Sequence, residues 1–500
     1  MVDYFNMTGY KTQLEQVLRE EKVFRLILLV LVITGILVLV ITSFDSGILD
    51  PDTWWHLAAG KYIVTHRSIP HQDVFSWTVP GQPWVTHEWL AEVLFYLAYL
   101  AGSFWGVLSL LLVVAALLFT LYARLLLRSG GEYPVAVLSL LAAGDLLYPF
   151  LEIRPQVFSY LFFVFFLYVL ELFREKKKDC LFLLPVVSVF WANSHGSFFL
   201  GPGLVGVYLL SGLLKVGGER IESRRWDAGE VRKLSLVLML CVLAAALNPN
   251  GFALLLYPLG TVGDRLMTDN IQEWLSLDFH KLYDRLFLVY YLLIFTALVV
   301  YPRKIRVADL LLYLFFGTAA FVHGRFAPYA VLVGGFLLTR YVRPSPDRRM
   351  NLSRLKMILI PALLVLYAVV LAAKAPPQTA IDRRFTDQED YPVAAVAFLK
   401  RNPLDGRMLN NYGWGGYLIW NLPREKVFID GRADVYMKRV FGDYIKITRL
   451  GPEAAKLLEE YRIRYVFMPA GSPLVQALKL SPRWSVFYED GTAAILVKDP

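Results

Sequence analysis

The chain has 500 residues, 56% of them hydrophobic, and a mean hydropathy of +0.48, which excludes an ordinary water-soluble globular domain. Its formal net charge of +9 invites a nucleic-acid reading, but the cations fall in short loops between apolar runs, where they report membrane topology. Two cysteines, Cys180 and Cys241, both lie in apolar runs, so neither a disulfide framework nor a cysteine metal site is indicated.

The first apolar run, residues 24–43, reads FRLILLVLVITGILVLVITS. At about 1.5 Å per residue it spans a hydrocarbon core of ~30 Å. It is too long for a signal-peptide core, and no small-residue cleavage site follows, so it reads as a retained anchor. Ten further candidate spans lie near residues 103–123, 133–149, 156–173, 180–193, 198–214, 234–248, 286–302, 307–322, 328–339 and 357–373. The segment from Glu88 to Ala101 is apolar but short. It is either a re-entrant or interfacial helix or the upper half of the second span.

With the N-terminus cytoplasmic and alternation thereafter, the inside segments hold 24 Lys plus Arg and the longer outside segments hold 7. This is the positive-inside asymmetry, and it appears loop by loop. The expectation is an α-helical multi-pass membrane protein of about 11 transmembrane helices, residues 1–373, with a large first external loop, 45–102. Residues 374–500 then fall outside the cytoplasmic (inner) membrane. There, helices at Tyr391–Asn402 and Pro452–Tyr461 alternate with strands at Lys426–Asp430 and Arg464–Met468. Trp484–Glu489 and Thr492–Val497 flank the turn Asp490-Gly491. The pattern predicts a small extracytoplasmic α/β domain.

In this topology all seven histidines and most lone acids and arginines fall at or beside the external side. Helix ends converging there can build one cavity. The first loop is the richest segment. Asp50 and Asp52 flank Pro51, which biases its neighbour toward extended backbone. The two carboxylates suit a shared divalent cation (Mg or Mn), or one of them suits general-base work on an acceptor hydroxyl. The plainer alternative is that Asp52 caps a helix from Thr53 to Val64.

His56, His71 and the pair His87-Glu88 suit a metal site or a proton relay, or are interfacial histidines bonded to backbone. Trp54 and Trp55 suit stacking on a sugar ring, or belong to an aromatic belt at the membrane interface. Arg154 and Arg325 are lone cations in external turns, suited to a phosphate; the alternatives are a snorkelling arginine or a partner for Glu152. His195, in Asn193-Ser194-His195-Gly196, and Glu273 complete the candidate substrate-binding set. In the tail, Tyr412-Gly413-Trp414-Gly415-Gly416-Tyr417 and Asp430-Gly431-Arg432 either contact an acceptor or pack against the helices.

The architecture and the acidic motif Asp50-Pro51-Asp52 resemble the polyprenyl-phosphate-dependent glycosyltransferases of the GT-C superfamily. More narrowly, DPDTWWHLAAGKYIVTHRSIPHQDVFSWTVPGQPWVTHEWLAEVLFY, VFIDGRADVY and WSVFYEDGTAAILV resemble a group of bacterial multi-pass membrane proteins. In the superfamily a first-loop acid acts as base or binds a metal. The resemblance thus gives Asp50 and Asp52 the catalytic and metal roles, a lipid-linked sugar as donor, and an acceptor that is a glycan, a lipid or a protein. The implied function is inverting transfer from a polyprenyl-(pyro)phosphate sugar at the outer face of the membrane. The alternative is a non-catalytic protein for export or assembly of a surface polysaccharide. The WWDYG motif of oligosaccharyltransferases is absent; Tyr412–Tyr417 echoes it without the aspartate. No nucleic-acid partner is expected.

Overall fold

The computed structural model describes residues 23, 25–42, 50–262, 265–342, 369, 391–436 and 439–499. It opens with α1, Arg25–Thr42, the expected anchor. The first loop begins with α2, Asp52–His66, and runs on as irregular chain to α3, Trp89–Arg128. Thus the stretch from Glu88 to Ala101 is the first half of α3, joined to the second span across a break. At 40 residues, α3 is about twice as long as a bilayer needs. The break falls at Gly102 and Ser103, where Ser103 takes φ 54°, and a Gly/Ser pair is a usual cause of a sharp kink.

The helical part continues with α4 (Tyr133–Leu147), α5 (Gln156–Arg174), α6 (Leu183–Ala192), α7 (Leu200–Leu213) and α8 (Ala228–Ala245). Two short helices follow, α9 (Ala253–Val262) and α10 (Arg265–Asn270), then α11 (Leu282–Val300), α12 (Val307–Val322) and α13 (Ala327–Tyr341). A two-residue parallel pairing, β1 (Ile221–Glu222) with β2 (Ile305–Arg306), ties two of the loops together.

Six described helices are long and apolar enough to cross a membrane, and α6 and α12 are shorter apolar helices. The eleven expected spans are therefore not all full crossings. α6 has 10 residues, about half a bilayer. α8 carries Glu230, Arg232 and Lys233 in its first turns. Of the span expected at 357–373, residue 369 alone is among the described residues.

The C-terminal part contains α14 (Val393–Arg401), β3 (Arg407–Asn410), α15 (Gly415–Asn421), α16 (Ala433–Tyr436), α17 (Val440–Thr448), α18 (Ala454–Glu460), β4 (Ile463–Pro469), α19 (Pro473–Lys479), β5 (Trp484–Glu489) and β6 (Ala493–Lys498). The sheet order is β3-β4-β6-β5, with β3 parallel to β4 and the other pairs antiparallel. The β5–β6 hairpin and β4 fall where the alternation and the Asp490-Gly491 turn place them.

One expected strand is not in this sheet. Val427, Phe428 and Ile429 are fully buried, but Val427 pairs with the first loop instead: its N–H donates to Phe75 O, and Trp77 N–H donates to Val427 O. The other side of the run is satisfied by the Asn410 side chain, whose Oδ1 accepts from Phe428 N–H at 2.7 Å and whose Nδ2 donates to Ile429 O at 2.8 Å. An apolar run shows that a segment is buried, not which backbone completes its hydrogen bonds.

This splice fastens the tail to the first loop. Arg432 completes it: its guanidinium bonds both Asp430 and Asp73 of the loop at 2.7–2.8 Å and lies over Trp84 at 4.5 Å. All three charged side chains are fully buried. Asp430-Gly431-Arg432 is thus a structural clamp in its two charged members. α2 is held between α3 and α15, which is why it is buried on nearly all sides.

Candidate functional site at the ends of the helices

The acidic pair opens α2. Asp50 Oδ1 accepts from the Asp52 backbone N–H at 2.8 Å, and Asp50 O accepts from Thr53 N–H. Asp50 therefore makes the local turn contact, and the Asp52 side chain does not cap the helix. It is free for tertiary use. Its Oδ1 accepts from Trp55 Nε1 at 2.9 Å and its Oδ2 from Arg154 at 2.8 Å.

Arg154 comes from the turn before α5. Thr53 Oγ1 donates to Ile153 O at 3.1 Å and locks that turn over α2. The same guanidinium also donates to Asp50 Oδ2 and to Glu273 Oε2, each at 3.1 Å. Glu273 arrives from a short 3₁₀ turn, Gln272–Trp274. That turn is pinned by Gly324 N–H to Leu275 O and by a 2.7 Å contact of His323 Nδ1 with Trp274 O. Arg325 lies over the Trp274 ring at 4.2 Å and 3.9 Å from Glu273 Oε1. Four segments distant in sequence thus meet around one guanidinium. Their charged side chains keep 13–32% of their surface exposed, so the cluster is half open.

The electrostatics are uneven. Burial raises the Asp52 carboxyl, to about 8, aided by Asp50 and opposed by Arg154. Glu152 is pushed up to about 8 by burial and by its neighbour Asp50. Burial also acts to raise Glu273, but Arg154 and Arg325 outweigh it and leave that carboxyl below its usual range. One acid is held ionised while two retain protons near neutrality.

A divalent ion at Asp50 and Asp52 does not fit this arrangement. Both Oδ2 atoms and Glu273 converge on Arg154, and the remaining oxygens take donors from Asp52 N–H and Trp55. The central positive charge is a guanidinium, and a cation would have to displace it. Arg154 is accordingly held by carboxylates, of which Glu152, the sequence neighbour, is not one of the direct partners found.

A second cluster lies beside the first. His56 packs its ring against Trp55 at 3.6 Å between centroids. Its Nδ1 is 3.3 Å from Glu92 Oε1 and its Nε2 3.9 Å from Glu88 Oε2. The approach depends on Gly60: a Cβ there would come 2.1 Å from the Glu92 carbonyl oxygen of α3. His87 and His195 bring Nε2 to 3.6 and 3.8 Å from Glu88 Oε1. Burial first, then nearby cations and histidines, holds both His56 and His195 well below the ordinary imidazole range, so their rings are neutral. Burial raises Glu88. His195 Nδ1 accepts from Ser197 N–H and contacts Ser159 Oγ at 2.9 Å, leading a polar chain through Ser197 to Tyr329.

Of the residues singled out in the sequence, the structure brings together Asp50, Asp52, Arg154, Glu273 and Arg325 in one cluster and His56, His87, Glu88 and His195 in the other. Trp55 joins the two. Trp54 does not belong: it is 1% exposed and packs edge-on against Phe104, Tyr391 and Tyr417, so it is a core residue rather than a sugar platform. His71 is exposed.

Two contributors escaped the sequence reading. Glu92 sits one helical turn after Glu88, a carboxylate spacing visible in an apolar helix. Asp434 lies in the same tail motif as Arg432; it accepts from Tyr257 at 3.2 Å, and burial raises its carboxyl. Gly431, the middle of the expected Asp430-Gly431-Arg432 motif, packs on Asp52 so closely that a Cβ would fall 1.8 Å from Asp52 Oδ1.

No family model matches this chain, and no curated protein matches it in sequence. Solved structures do match. The archaeal oligosaccharyltransferase AglB from Archaeoglobus fulgidus, in complex with an inhibitory peptide and a dolichol-phosphate, aligns with 95% of this chain and 74% of its own, at TM-score 0.57 and 12% identity. The Archaeoglobus fulgidus oligosaccharyltransferase tethered to an acceptor peptide with the NVT sequon aligns with 94% of this chain and 74% of its own, at TM-score 0.54 and 11% identity. The apo form aligns with 87% and 69%, at TM-score 0.52 and 11% identity. At this identity the likeness is one of fold, and it agrees with the six described helices that are long and apolar enough to cross a membrane.

Proposed function

We propose that this protein is a membrane glycosyltransferase that moves a sugar from a polyprenyl-(pyro)phosphate donor to an acceptor hydroxyl, with inversion, at the outer face of the inner membrane. The observation that carries the reading is the meeting of Asp50, Asp52, Glu273, Arg154 and Arg325 from four chain segments, within the fold of lipid-linked glycan transferases. The orientation places the N-terminus in the cytoplasm and residues 374–500 outside, as the charge asymmetry indicates.

In this mechanism Asp52 accepts the proton of the acceptor hydroxyl. The hydroxyl oxygen attacks the anomeric carbon, and the bond from that carbon to the phosphate oxygen breaks. Arg325 and Arg154 receive the charge that develops on the leaving phosphate. A carboxyl near 8 becomes a base as the pH rises toward that value.

The test uses purified protein in vesicles with a polyprenyl-phosphate sugar. The wild type is expected to release polyprenyl phosphate, and the double variant Asp50→Asn, Asp52→Asn to release none while folding and inserting normally. Full activity in that variant removes the pair from the mechanism. One observation favours the alternative, a non-catalytic export or assembly protein that binds a lipid-linked glycan: every oxygen of the acidic pair already has a donor. In that case the wild type binds the lipid and releases nothing.

A further inference from the structure

The second cluster is not explained by hydrogen bonding within the protein. The two ring nitrogens of His56 face two carboxylates, Glu92 at 3.3 Å and Glu88 at 3.9 Å. His87 Nδ1 is 2.9 Å from Val85 O, a carbonyl that can only accept, so Nδ1 donates there, and this turns Nε2 toward Glu88 Oε1 at 3.6 Å. Independently, Glu92 Oε2 is buried without any hydrogen-bond partner, on a residue 1% exposed whose other oxygen points at His56. An orphaned carboxylate oxygen in such a place is costly to keep dry.

A cation among these atoms gives the buried Glu92 carboxylate a partner and draws on His56 and Glu88 beside it. One ligand atom each from His56, Glu88 and Glu92 lies within 4.8 Å of the others. We infer that His56, Glu88 and Glu92 bind a divalent transition ion of the zinc class, with His87 at its edge. An imidazole with two carboxylates is a borderline donor set, which disfavours magnesium and calcium. Three protein ligands leave a coordination position open, the pattern of reactive rather than purely structural zinc. The His87 Nδ1–H contact to a backbone carbonyl is the usual orienting contact of a metal-facing histidine. This site is separate from the acidic pair of the first loop, whose centre Arg154 already fills.

The test uses the full chain in detergent, stripped with a chelator, equilibrated with zinc chloride or manganese chloride, desalted and measured for metal. The wild type is expected to retain about one zinc ion per chain. His56→Ala and the near-isosteric Glu92→Gln should each weaken retention by at least roughly tenfold, while Asp50→Asn with Asp52→Asn retains it in full. Cobalt loaded in place of zinc should give a visible absorption band from nitrogen and oxygen ligation. This wild-type measurement decides the matter if a variant fails to fold. Wild type that holds no metal, equal retention in His56→Ala and Glu92→Gln, or loss only in the first-loop double variant would each overturn the site and mean that protons alone balance the glutamates. None of these readouts involves glycosyl transfer, so failure here leaves the proposed function standing.

Discussion

The two ends of α5 carry two ionic clusters built on different terms. Beyond its C-terminal end, Arg340 bonds both oxygens of Asp309 at 2.9 Å and also Glu171, while Arg174 reaches Asp309 at 3.5 Å. Tyr341 and Tyr208 donate to the same two acids. These charged side chains are 0–7% exposed, and Arg306 adds a third, more exposed guanidinium 3.9 Å from Glu171. At the N-terminal end, four carboxylates crowd Arg154 with Arg325 nearby, and the side chains in direct contact are 13–32% exposed. A dry cluster whose acids are all met by guanidiniums suits a structural role, and a half-open cluster with excess acid is the one that the proposed function uses.

The comparison breaks most sharply under charge removal. Arg340→Met leaves Glu171 and Asp309 buried without their main partner and should cost ~3–5 kcal/mol, read as loss of the folded, monodisperse protein in detergent. Arg154→Met should cost only ~1 kcal/mol, because its acids reach water. If the two variants melt alike, the division into a structural and a working cluster is wrong. Next, Asp52→Asn should lower polyprenyl-phosphate release by ~10²–10⁴ with an unchanged melting temperature.

Gly431→Ala tests positioning without changing any charge. The new Cβ pushes Asp52 aside, and a displacement of that order costs ~10² in rate. An unaffected rate would mean that Asp52 need not hold its place. The pH dependence follows from the direction of the shift. Asp52 is protonated below about 8 and cannot then act as base. Release should therefore rise about tenfold per pH unit up to that point and level off above it. A profile flat from pH 6 to 9 would assign the base elsewhere. The smallest effect is expected from Arg325→Ala, roughly a tenfold rise in KM for the lipid phosphate. A KM that does not move would take Arg325 out of donor binding.

The sequence was legible where one residue type has one physical reason. Asp50 next to Pro51 at the mouth of an apolar span, and Arg154 alone in a turn, stood out because a charge at a helix end needs a partner. The β5–β6 hairpin was readable from Asp490-Gly491. Trp54 was not: an indole in an aromatic-rich loop looks the same whether it faces a sugar or, as here, Phe104 and Tyr417. Glu92 was hidden inside an apolar helix whose kink at Gly102-Ser103 joins a loop-packing half to a second span.

From the sequence alone come the membrane class, the collection of polar residues on one set of helix ends, and the alternating tail, because hydropathy and periodicity act over neighbouring residues. Only the tertiary structure decided which carboxylate faces which cation. That choice turns on contacts made across a hundred or more positions: Thr53 on Ile153, Arg154 on Glu273, Arg432 on Asp73. No local pattern encodes such pairings, since each depends on where the backbone of a distant turn comes to rest.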